Sequence, residues 1–172
     1  EELTGETLGE DRCGIDGCSV PSWALPLASL ASTFARLASG TGVSAEHADA
    51  AYKLMAAAMI EPFLVAGTGR FCTRVMQALP GRVFAKGGAE GVYCAALPSE
   101  GIAIALKIDD GARRGAEIAL AATLLALLPG EAAAIDPLAD EGIRNVAGLE
   151  TGRLRASGEL WRALAGLRPS SL

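Results

Sequence analysis

The sequence is short of cations other than arginine. Lysine occurs only at Lys53, Lys86 and Lys107, and histidine only at His47. The 172 residues carry a net charge of −5. That excludes a general nucleic-acid binder, whose footprint is a basic face. Long apolar runs are missing too. The longest candidate, residues 116–128, falls short of the ~20 residues a membrane span needs and contains Glu117. It reads as a buried helix, and no membrane partner is expected. Residues 1–11 are acidic and polar, unlike the basic-then-apolar pattern of a secretory leader. Cys13, Cys18, Cys72 and Cys94 are therefore expected as thiols in a reducing, cytoplasmic setting. Three catalytic signatures are absent: Gly-x-Ser-x-Gly, His-Glu-x-x-His and Ser-x-x-Lys, which sets a lysine one helical turn from a serine nucleophile.

What is present describes a folded chain. Hydrophobic residues make up 51% and charged residues 20%, the reverse of a disordered composition. The 21 glycines and 8 prolines follow no short period, which excludes a collagen-like chain. The length suits one domain with a sizeable core. The 34 alanines favour helix.

Punctuation and periodicity divide the chain. Residues 10–26 are rich in glycine and proline and read as loop and turn. Leu27, Leu30, Phe34, Leu37 and Ala38 recur at helical spacing and predict one buried face. Ser44 is an N-cap candidate for a helix over about 45–60, with Tyr52, Met55 and Met59 on its apolar side. Glu61-Pro62 interrupts that helix, and a glycine loop, 65–70, leads into a short helix over 71–79. Three strands are predicted next, at 82–86, 91–97 and 102–108, the last two as an antiparallel hairpin. A long helix over about 112–128 stops at Pro129-Gly130. Residues 135–143 read as a turn-rich or short helical stretch, 144–146 and 154–155 as weak strand or loop candidates, and the tail carries no clear signal. The order is helix, helix, strand, strand, strand, helix, an α+β arrangement in which helices flank an antiparallel sheet.

Four residues stand out chemically. Lys86 precedes Gly87-Gly88 at a strand end. There an ammonium meets a cleft whose backbone a ligand can approach closely, or is simply a surface lysine before a turn. Arg70 ends Gly67-Thr-Gly-Arg at a helix N-terminus, where a substrate carboxylate or a structural salt bridge is suited. Cys18 lies beside Asp16 in a loop. Its Cys-x4-Cys spacing from Cys13 lacks the second pair of a zinc ribbon. Cys72 and Cys94 read as small buried hydrophobes. His47 reads as a surface or capping residue, and Asp109-Asp110 as turn and capping residues rather than a general acid/base pair.

Four segments carry a family likeness. They are Gly14-Ile-Asp-Gly-Cys-Ser-Val-Pro21, Val65-Ala-Gly-Thr-Gly-Arg-Phe-Cys-Thr73, Phe84-Ala-Lys-Gly-Gly-Ala-Glu-Gly-Val-Tyr-Cys-Ala95 and Ile104-Ala-Leu-Lys-Ile-Asp-Asp-Gly111. In order and spacing they resemble the rhizobial-type L-asparaginase II family over residues 10 to about 128, and weakly to the end. The resemblance implies a fold related to serine β-lactamases and glutaminases, and hydrolysis of L-asparagine to L-aspartate and ammonia. It implies Lys86 and Asp16 as catalytic residues. It places Asp16 and Lys86 at the substrate, where the residue reading adds Arg70 as a carboxylate partner, and Cys18 as one ligand of a zinc ion. The family's nucleophilic serine, its lysine one turn later and the other zinc ligands lie in an N-terminal half that finds no counterpart here. The expectation is a C-terminal half of one asparaginase-like domain, inactive alone, and a homodimer when full length. The competing expectations are a non-catalytic fragment and a zinc-binding module centred on Cys13 and Cys18.

Overall fold

A computed structural model describes residues 1–167. It is α+β: small antiparallel sheets with helices against them. The chain opens with a short hairpin, β1 (Cys13–Ile15) and β2 (Pro21–Trp23), in register Cys13↔Trp23. The sequence reading made this segment loop. Its strands have three residues each and no apolar alternation, so pairing comes from the turn. Ser19 N–H donates to Asp16 O at 2.8 Å, and Asp16 N–H to Val20 O at 3.0 Å.

Two helices follow, α1 (Leu27–Ser39) and α2 (Ala45–Ile60). Gly40 ends α1 with φ +68°, a left-handed cap that suits glycine. Ser44 caps α2 as predicted, its hydroxyl accepting from His47 N–H. The apolar stripes are less covered than predicted. Only Thr33 of α1 is buried, and Leu27 is 43% exposed. On α2, Met55 is buried but Tyr52 is 73% exposed. Helix α1 packs on β4 and β5, with Phe34 stacked on Phe84 of β3 at 6.1 Å, and its remaining face is left to solvent.

The short α3 (Pro62–Ala66) and α4 (Phe71–Ala78) lead to the main sheet. Its strands β3 (Phe84–Gly87), β4 (Val92–Leu97) and β5 (Ile102–Lys107) lie in that order, antiparallel. Then come α5 (Arg113–Leu127), α6 (Ala132–Ala139), a hairpin of β6 (Asp140–Arg144) and β7 (Glu150–Arg155), and α7 (Gly158–Leu164). Pro129 breaks α5 from α6, and the two axes differ by 113°. No single helix among the described residues is long and apolar enough to cross a membrane.

The core lies where α4, α5 and α6 meet β4. Val75, Met76, Leu79, Leu97, Leu120, Leu124 and Ile135 are fully buried there. Ala116, Leu120, Leu124 and Leu127 recur at three and four residues, so one face of α5 enters this core. The alanines between them keep that helix close to the sheet.

Candidate functional site

Strand alternation decides what β3 shows to each side. Phe84 stacks on α1, and Lys86 lines the same groove; Ala85 and Gly87 face α4 and α5. β3 is an edge strand, so Lys86 borders open space. Its ammonium donates to Gly87 O at 2.5 Å. Gly87 is required by its neighbour: a Cβ there would sit 2.9 Å from Tyr93 Cζ. Tyr93 is opposite Gly87 in register and meets Phe71 of α4 edge-on at 5.7 Å.

The glycine loop before α4 is pinned by Thr73, whose hydroxyl donates to Gly67 O at 2.7 Å and Pro62 O at 3.2 Å. Gly67 and Gly69 take positive φ of 92° and 68°. Arg70 is the N-cap residue of α4 and is exposed. Cys72, the second residue of α4, is buried; its Sγ lies 2.9 Å from Tyr93 Oη and accepts from Gly87 N–H at 3.3 Å. Burial first, then the bond to Cys72, pushes the tyrosine pKa far above its ordinary range. Tyr93 is therefore a neutral phenol, suited to hydrogen bonding and not to proton abstraction. Cys94 lies opposite Lys86, and burial pushes its thiol up to about 11 against the opposing pull of Lys86.

These elements enclose a cleft of about 240 Å³ lined by Arg70, Cys72, Lys86, Gly87, Gly88, Tyr93 and Arg113, with Val65 and Ala66. Three cations line it and no carboxylate does. Its size is near the small end of ligand sites, which suits a small anion. Arg70 and Lys86, predicted from the sequence, are thus brought together. Asp16 and Cys18 are placed elsewhere, at the tip of the β1–β2 hairpin. Asp16 accepts from Gly17 N–H at 2.6 Å, and the Cys18 thiol points at its other oxygen at 3.8 Å. Both are exposed, and neither lines the cleft.

The donor set for zinc is incomplete in this chain. Cys18 has Asp16 as its neighbour, and among the described residues no group of three or more His, Cys, Asp or Glu comes together. A closed tetrahedral site needs four donors, and these residues alone do not supply them.

Cys72, Tyr93, Arg113 and Glu117 are cleft or near-cleft residues that the sequence reading did not single out. For Tyr93 a signal existed. Pairing the first predicted strand with the second sets its ring against Gly87, where a side chain is missing.

The family model for L-asparaginase II matches residues 1–156. No curated protein matches the chain.

Proposed function

The chain belongs to the L-asparaginase II family, and on that premise we propose that it supplies the substrate-binding part of an amidohydrolase converting L-asparagine and water to L-aspartate and ammonia. The observation that carries this reading is the small cleft with three cations and no lining carboxylate. L-Asparagine brings an α-carboxylate, which Arg70 or Lys86 neutralises. Attack on its side-chain amide builds negative charge on oxygen, and a fixed cation beside that oxygen lowers the barrier. Lys86, at the mouth of the cleft on an edge strand, is suited to that role. Asp16 is suited to the α-ammonium, once its hairpin is held against the cleft.

The nucleophile is assigned to residues outside this chain, because no serine here has a lysine three positions on. The same proposal places Cys18 in a zinc site completed from outside the chain, makes the full-length protein a homodimer, and sets it in the cytoplasm. The test is ammonia release by a longer polypeptide carrying the Ser-x-x-Lys segment. Lys86→Ala there should lower kcat/KM by on the order of 10²-fold, the usual loss when one oxyanion partner is removed. Near-normal kinetics would remove Lys86 from the chemistry. The 172-residue chain alone should release none.

A further inference from the structure

Helix α5 begins against its own electrostatics. Its first two residues are Arg113 and Arg114, and its first turn holds no acid. The N-terminus of a helix carries partial positive charge, so cations there are unfavourable. A local conflict of this kind points to a role other than stability.

The surroundings of Arg113 show what that role is. The loop leading into α5 is locked to the β3–β4 turn: Ile108 N–H donates to Gly91 O at 3.1 Å, and a Cβ on Gly91 would touch Gly111 at 3.0 Å. That lock sets Arg113 beside Gly87 and Gly88 at the cleft. Its Nε lies 3.3 Å from Glu117 Oε1, one turn further along α5. Glu117 is largely covered, its side chain 19% exposed against 60% for Arg113. An ion pair on the Nε side leaves the two Nη nitrogens facing away from Glu117, and a carboxylate matches that fork.

We propose that Arg113 is a carboxylate-binding residue of the cleft and that Glu117 is the residue that positions it. The identity of the ligand as an amino acid rests on the amidohydrolase reading; the carboxylate fork does not. The coverage of Glu117 restricts it more than an exposed surface acid would be restricted.

The experiment titrates the 172-residue chain with succinate, L-aspartate and L-asparagine, following binding by calorimetry and the Arg113 Nε–H resonance by NMR. All three should bind and move that resonance. Arg113→Lys keeps the charge and loses the fork, and should weaken each about tenfold; Glu117→Ala should weaken them by a similar factor. Glu117→Gln keeps the side chain's size and a polar oxygen beside Nε and should restore affinity to within about threefold. Arg114→Ala should change nothing. If succinate binds through Arg113 but neither amino acid does, the fork stands and the amidohydrolase reading loses its substrate. If the amino acids bind and Arg113→Lys leaves them unaffected, the proposal is overturned while that reading survives. A resonance that none of the three ligands moves also overturns it.

Discussion

The candidate site residues named from the sequence lie in two regions built in different ways. Arg70 and Lys86 stand on α4 and β3, over a core whose side chains are fully buried. Asp16 and Cys18 stand on a hairpin of two three-residue strands in which Ile15, Val20 and Trp23 are all exposed. Each residue of the first pair has its backbone position fixed by a packed element, while its side chain is exposed. The second pair is held mainly by the turn itself and by the bond from Ala24 N–H to Arg12 O at its open end. The first region is anchored to the core of this chain; the second is anchored only within itself.

The largest expected difference between the regions is in stability. Leu124 is 0% exposed among α5, α6 and the sheet. Leu124→Ala should destabilise the chain by about 2–5 kcal/mol, the range for a truncated core leucine. Ile15 is 72% exposed, and Ile15→Ala should stay within about 0.5 kcal/mol. Urea unfolding measures both. Comparable losses would show that the hairpin is packed in solution and would erase the contrast.

A glycine pair sharpens the comparison at smaller scale. At Gly87 a methyl meets the Tyr93 ring at 2.9 Å, while at Gly17 nothing lies within 4 Å. Neither position has a positive φ, so the difference is one of space. Gly87→Ala must move the ring, stretch the contact with Cys72 and reshape the cleft, at a cost of about 1–3 kcal/mol. Gly17→Ala should be neutral. Thermal unfolding reads the cost, and the near-ultraviolet dichroism of Tyr93 reads the displacement. An unchanged tyrosine signal in Gly87→Ala would show that the ring does not fill the glycine's place.

The same contrast governs what was legible in the sequence. Helices α1, α2, α4 and α5 and the three-stranded sheet were readable because packed elements need apolar residues at fixed periods, and because proline and glycine end them. The β1–β2 hairpin was read as loop, since Gly14, Gly17 and Pro21 are turn residues and nothing alternates. The β6–β7 hairpin was seen only in fragments, because Glu150-Thr-Gly-Arg-Leu-Arg155 is mostly charged and polar. Helix α7 was not read, although Ser157 caps it by accepting from Leu160 N–H and Glu159 stands in its first turn. Within the site, Lys86 and Arg70 were legible from the glycines beside them. Arg113 was not, because its place at the cleft depends on the close approach of Gly91 and Gly111, a contact between loops 20 residues apart in sequence.

The smallest effects separate the regions by the sign of their pH dependence. Glu117 pairs with the cleft residue Arg113, and burial raises its pKa above 4.5 despite that partner. The folded chain then holds that proton more tightly than the unfolded chain does. The resulting stability is fully present below the ordinary glutamate range and is lost as pH rises through the raised value. Glu2 lies on the N-terminal segment, where it accepts from Ser44 N–H at 2.7 Å and faces His47 at 3.2 Å. Those bonds, the Ser44 N–H first, lower its pKa. Its contribution is present above the ordinary range and is lost as pH falls through the lowered value. Glu117→Gln should therefore compare best with the parent at neutral pH and lose that advantage on acidification. Glu2→Gln should compare worst at neutral pH and match the parent in acid, with faster exchange of the Ser44 amide at neutral pH only. Thermal unfolding across pH 3–7 tests the first, and amide exchange the second. Parallel trends in the two variants would mean that burial at Glu117 is relieved in solution, leaving it as open to water as the N-terminal segment.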